Sequence, residues 1–89
     1  MKTKNGKNIT AAEKAHLARV KAAPCSVCDR EGPSAAHHIH QGQHFTAVAL
    51  CWDCHQGQAG WHGTKALWRI RKMDELGGLN ITLQRVLGG

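Results

Sequence analysis

Apolar and polar positions along this chain change their period several times, and each change predicts an element. Residues 1 to 9 set Lys2, Lys4 and Lys7 among polar neighbours with no apolar period, which reads as a flexible basic arm. Thr10 then opens a helix. Glu13 stands three positions on to complete a capping box, Leu17 and Val20 supply a modest apolar face, and Pro24 stops the element after Ala23. Glu31-Gly32-Pro33-Ser34 reads as a turn. Two short stretches, Ala35 to Ile39 and Ala47 to Leu50, flank a bend at Gln41-Gly42-Gln43 and predict a β-hairpin. From Thr64 to Leu76 the pattern is helical again. Ala66, Ile70, Met73 and Leu76 follow the spacing of a core-facing stripe, and Gly77-Gly78 reads as the helix stop. Asn80 then caps a last short element through Leu87.

Two Cys-x-x-Cys pairs, Cys25/Cys28 and Cys51/Cys54, use all four cysteines of the chain. The spacing suits one tetrahedral structural zinc better than two disulfides or four buried thiols. A thioredoxin-type redox motif is excluded, because no strand–helix–strand pattern surrounds either pair. Cys25 to Cys28 predicts a knuckle, and the second pair starts a short helix that carries His55 and ends near Gly57 to Gly60. Knuckle, hairpin and helix, with two ligands from each end, describe a small zinc-stapled α+β domain of the treble-clef kind with flanking helices. Such a staple suits a chain of 89 residues with three Trp, one Phe and no Tyr, which can bury only a thin core. Residues 10 to 89 therefore read as one domain.

Charge narrows the partner. Twelve Lys and Arg against six Asp and Glu leave a formal +6, which favours a polyanion. Lys2, Lys4, Lys7, Lys14, Arg19 and Lys21 crowd one end, and Lys65, Arg69, Arg71 and Lys72 crowd a later segment, with no Lys or Arg between Gly32 and Thr64. In a helix through Thr64 to Leu76, Lys65, Arg69 and Lys72 share a face and are candidate contacts to a nucleic-acid backbone. A protein partner has no comparable signal. No apolar run approaches a membrane span, and the basic N-terminus lacks the apolar segment of an export signal. With zinc-type cysteines, these features predict a cytoplasmic protein.

Six of the seven histidines lie inside that stretch without Lys or Arg. His37 and His38 are neighbours, so a strand points them to opposite faces. His55 directly follows a zinc ligand, and His62 lies beyond a Gly-rich bend able to fold it back toward His55. A divalent cation held by His37, His55 and His62 would keep positions open for water and phosphate. His40 and His44 read as solvent- or phosphate-facing loop residues, and His16 as a surface residue of the first helix. Trp52, Trp61 and Trp68 read as core or lid.

The segments Cys25-x-x-Cys28, Ala36-His37-His38-Ile39 and Leu50-Cys51-x-x-Cys54-His55 together resemble the HNH (ββα-metal) endonucleases, in particular the small phage- and prophage-borne members similar to Ref-type recombination-enhancement nucleases. The resemblance spans roughly residues 25 to 62. It implies metal-dependent hydrolysis of DNA phosphodiesters in a bacterial or phage-infected cell, leaving a 5′-phosphate and a 3′-hydroxyl. It implies that His38 is the general base, that His37 stands where the family's Asp ligates the metal, and that His55 is the final metal-binding histidine. His62 serves as a ligand in some relatives. With His in place of Asp, the site loses a negative charge and gains a softer ligand, favouring zinc, nickel or manganese over magnesium. The family's central Asn falls near Thr46, where this chain has none. The rival expectation is a non-catalytic zinc module that binds nucleic acid or bridges proteins.

Overall fold

A computed structural model describes residues 9 to 88. The expected basic arm lies outside these, apart from Ile9. The order of elements is α1 (Ala11–Ala22), β1 (Ala35–His38), β2 (Ala47–Leu50), α2 (Trp52–His55), α3 (Ala66–Ile70) and α4 (Glu75–Gly88). A two-stranded antiparallel hairpin and four helices among the described residues make a small α+β domain around a clustered group of four cysteines.

Local chemistry sets the first helix as expected. The Glu13 N–H donates to Thr10 Oγ1 at 3.1 Å, and the Thr10 N–H donates to Glu13 Oε1 at 2.8 Å. Two N–H groups with no partner inside the helix are thereby satisfied. At the far end Ala23 is already extended, the conformation that the following proline imposes.

Every residue of β2 is buried, which a lone hairpin could not achieve. Its pairing with β1 runs Ala35 opposite Leu50 to His38 opposite Ala47. On one side Val48 and Leu50 join Cys25, Val27 and Trp68; on the other Ala49 meets Val20 and Ala23 of the α1 end. The free edge of β2 is closed without a third strand. The Ser26 N–H donates to the Ala49 carbonyl at 2.9 Å, and the Ala49 N–H donates to Thr82 Oγ1 of α4 at 3.1 Å. Thr82 also lies 2.6 Å from Ser26 Oγ and donates to the Gly78 carbonyl at 2.9 Å. One hydroxyl thus ties knuckle, strand and helix together in a place that excludes water.

The helix expected over Thr64 to Leu76 is two pieces. Lys65 adopts a left-handed backbone (φ 65°) before α3, and Lys72 does so again (φ 52°) after it. The core-facing stripe fails with it: Ile70 is 73% exposed and Leu76 70%, while Trp68 fills the core and donates its indole N–H to the Cys54 carbonyl at 2.8 Å. The shared basic face fails for the same reason, since only Arg69 of the three cations sits within α3. Gly77-Gly78 does not stop a helix either. Asp74 Oδ1 accepts the Gly77 N–H at 2.8 Å and starts α4, which then runs through both glycines and through Asn80. Gly78 is there for proximity: a Cβ would lie 3.0 Å from Val48 Cγ1 and 3.4 Å from the Trp68 ring. His16 is likewise no surface residue. It is 6% exposed and packs on Phe45 at 5.2 Å between ring centroids. No described helix is long and apolar enough to cross a membrane.

Thr82→Val keeps the shape of the side chain and removes its hydroxyl. The change leaves the Ala49 N–H buried without an acceptor, so the domain should lose about 1–3 kcal/mol of stability. Urea unfolding of the two proteins checks this; equal midpoints would mean that the β2 edge is satisfied in another way.

Candidate metal centres

The knuckle and the α2 entrance bring the four cysteines together. Their sulfurs lie within 4.8 Å of one another, and Cys28 Sγ is 3.6 Å from Cys51 Sγ. That separation is far beyond a disulfide bond of about 2.05 Å. It matches the roughly 3.8 Å edge of a tetrahedron with zinc–sulfur bonds of about 2.3 Å. Electrostatics support a bound cation. Burial pushes the Cys54 thiol far up, with charge on Cys25 adding to it, and burial raises Cys51 too. Burial also opposes ionisation of Cys25, but backbone hydrogen bonds from Cys28, Cys51 and Val27 outweigh it and bring that thiol below its usual range. One thiolate is favoured and further ones are opposed, an arrangement a divalent cation resolves. Cys51 is also the N-cap of α2, its sulfur accepting the Cys54 N–H at 3.5 Å.

From that anchor the second cluster is built. His37 lies on β1 and is 5% exposed. His55 closes α2, one residue beyond Cys54. The segment after α2 then folds back as the glycines predict: the Trp61 N–H donates to the Cys54 carbonyl at 2.8 Å and the His62 N–H to the His55 carbonyl at 3.1 Å. Gly60 permits this return, since a Cβ there would sit 2.5 Å from the Asp53 carbonyl oxygen. The result places one ring nitrogen from each of His37, His55 and His62 within 4.8 Å of the others. Ring centroids are 5.0 Å apart for His37 and His55, 5.3 Å for His37 and His62, and 4.8 Å for His55 and His62. Burial first, then its two histidine neighbours, lowers His55 to about 4. It therefore stays neutral near pH 7, the form that offers a lone pair to a metal.

His38 does not join this group. Its Nε2 lies 3.0 Å from His44 Nδ1, with the rings edge to face. His44, expected to face solvent, is thus a partner of His38. Burial and then His44 lower the His38 pKa, while a hydrogen bond to the Ala36 backbone works in the opposite direction, as donation of an imidazole proton to a carbonyl does.

The remaining expected site residues are scattered around the centre. Arg69 and Lys72 are exposed, whereas Lys65 is half-buried with its Nζ 4.8 Å above the Trp61 ring. His40 is exposed on the loop, as expected. Trp61 packs on Trp68 at 4.7 Å, and Trp52 is 67% exposed, so it is not core. Two contributors had no sequence signal. Glu75 meets His37 from α4, and Arg85 reaches the knuckle, donating to the Cys25 carbonyl at 3.1 Å and to Asp29 at 2.6 Å.

No family model, curated protein or solved structure matches this chain.

Replacing Cys25 or Cys51 with Ser should release zinc and unfold the domain, because metal binding and folding are one event in a core this thin. Zinc analysis with circular-dichroism melting checks it, and a Ser variant with full zinc and a native melt would refute it. Gly60→Ala tests the second centre. A Cβ against the Asp53 carbonyl must displace the return segment, so affinity for a second ion should fall while the first zinc stays bound.

Proposed function

We propose that this protein is a metal-dependent endonuclease of the HNH (ββα-metal) type, hydrolysing DNA phosphodiester bonds from a treble-clef zinc scaffold. The observation that carries the reading is the convergence of His37, His55 and His62 from hairpin, helix and returning loop, with His38 beside His37 on the strand. Three imidazole ligands suit zinc, nickel or manganese, and leave coordination positions open. A cation bound there supplies Lewis acidity at the phosphoryl oxygens and the leaving 3′-oxygen.

The chain's own groups do the rest. His38 takes the proton of the attacking water at Nε2. The Ala36 backbone, which influences this ring, takes the orienting role for which the family uses Asn. His44 Nδ1 occupies the approach to Nε2 in the resting protein, so the water enters beside or in place of that contact. Exposed Arg69 and Lys72 hold the strand through its phosphates, giving binding that depends on salt and little on sequence. The occupied Nε2 also favours one rival, a zinc module that binds nucleic acid without cutting it.

His38→Ala separates the two. It should leave both metals and the melt near wild type and reduce cleavage about 10²- to 10⁴-fold. Plasmid and single-stranded DNA incubated with manganese, nickel or zinc provide the assay. Undiminished cutting by the variant would remove His38 from the mechanism, and no cutting by the wild type would leave the binding module. Binding has its own test. In Arg69→Ala/Lys72→Ala the slope of log affinity against log salt should fall by about 0.9 per lost duplex contact. An unchanged slope would return both residues to the solvated surface.

A further inference from the structure

The geometry points to Glu75 as the positioning residue of the histidine centre: it holds His37 in the tautomer that presents Nδ1, and not Nε2, to a bound metal. The inference rests on reading the three histidines as a metal site, and is independent of nuclease activity.

Glu75 is the first residue of α4, set in place by the Asp74 cap one position earlier. An acidic residue in a first helical turn is favoured by the helix dipole alone and needs no further reason. This carboxylate has one. Its Oε2 lies 2.7 Å from His37 Nε2, and the two side chains are 25% and 5% exposed. An ionised carboxylate only accepts, so the shared proton belongs to Nε2. In a neutral imidazole the lone pair then lies on Nδ1. His37 has two ring nitrogens and three partners around it: Glu75 at Nε2, and the rings of His55 and His62 at 5.0 Å and 5.3 Å between centroids. With Nε2 committed to Glu75, only Nδ1 remains for an ion shared with His55 and His62. A carboxylate on the far nitrogen of a metal-binding histidine fixes ring orientation and raises ligand basicity, and its loss typically costs 10- to 100-fold in metal affinity. Glu75 also brings a carboxylate to the edge of a centre whose three candidate ligands are all histidines. Glu75 stands well outside the segment that carries the motifs, and α4 becomes part of the metal centre through it.

The test uses the full chain with its first zinc equivalent bound. Zinc affinity of the second site is measured by chelator competition for wild type, Glu75→Ala and Glu75→Gln, each checked by its melt. In parallel, two-bond ¹H–¹⁵N correlation spectra of the His37 ring are recorded before and after the second equivalent. The expected wild-type ring carries its proton on Nε2 in both states and coordinates through Nδ1. Glu75→Ala should lose 10- to 100-fold in affinity and the fixed tautomer. Glu75→Gln, whose amide oxygen still accepts from Nε2, should keep the tautomer and recover part of the affinity. Coordination through Nε2 would overturn the proposal, and an equal loss in Gln and Ala variants would instead make Glu75 a direct ligand. Unchanged affinity in Glu75→Ala would reduce the contact to a local ion pair. A wild type that takes up one ion only would overturn the metal reading itself, and this inference with it.

Discussion

Four sulfurs held within reach of one ion organise everything else in this domain. Small cores lack the buried area to offset chain entropy, and this one has a single fully buried aromatic side chain, Trp68. Joining the knuckle to the end of β2 closes a long loop and gives the hairpin a fixed floor. It also orients α2, because Cys51 caps that helix through its sulfur. His55 follows Cys54 with no freedom between them, so the sulfur cluster decides where the first ring of the second centre stands. The Trp68 indole then locks the same turn from below through the Cys54 carbonyl.

The second centre is arranged by what surrounds it as much as by its ligands. The return of the chain over Gly60 delivers His62 to His55 through a backbone hydrogen bond, with Trp61 of the same segment packed on Trp68. His37 is buried and His55 half-buried, while His62 stays exposed at the open side of the group. His38 shares the strand but looks elsewhere, toward His44 and the Ala36 backbone. Two adjacent histidines on one strand thereby have distinct partners, which is the division of labour that strand alternation makes available.

What was legible in the sequence was what local chemistry decides. The Thr10 and Glu13 capping box, the Pro24 stop, both Cys-x-x-Cys turns and the hairpin all depend on residues a few positions apart, and each stands where the pattern placed it. The grouping of His37, His55 and His62 was readable because two short-range anchors, a cysteine of the sulfur cluster and a glycine bend, bracket it. Legibility ended at Thr64. An apolar period over Ala66, Ile70, Met73 and Leu76 fits a single helix, but the left-handed backbone at Lys72 breaks the phase, and no glycine or proline stands there to announce it. Gly77-Gly78 carried a second meaning: a glycine that ends helices in isolation here lets one approach Val48 and Trp68. His16, Glu75 and Arg85 were opaque for a different reason. Their partners are Phe45, His37 and the knuckle, so only the folded chain brings each pair together.

Thr82 alters where this domain can be said to begin and end. The motif-bearing stretch from Cys25 to His62 contains every candidate ligand, and a fragment cut to it would look complete on paper. Yet the outer edge of β2 finds its acceptor on Thr82, the knuckle carbonyls find their donor on Arg85, and the ring of His37 finds its carboxylate on Glu75. Trimming α4 would leave an open strand edge of the sort that recruits a neighbouring chain. The shortest autonomous unit is therefore drawn by hydrogen-bond closure and not by motif content, and grafting the metal ligands onto another scaffold would have to bring this helix along.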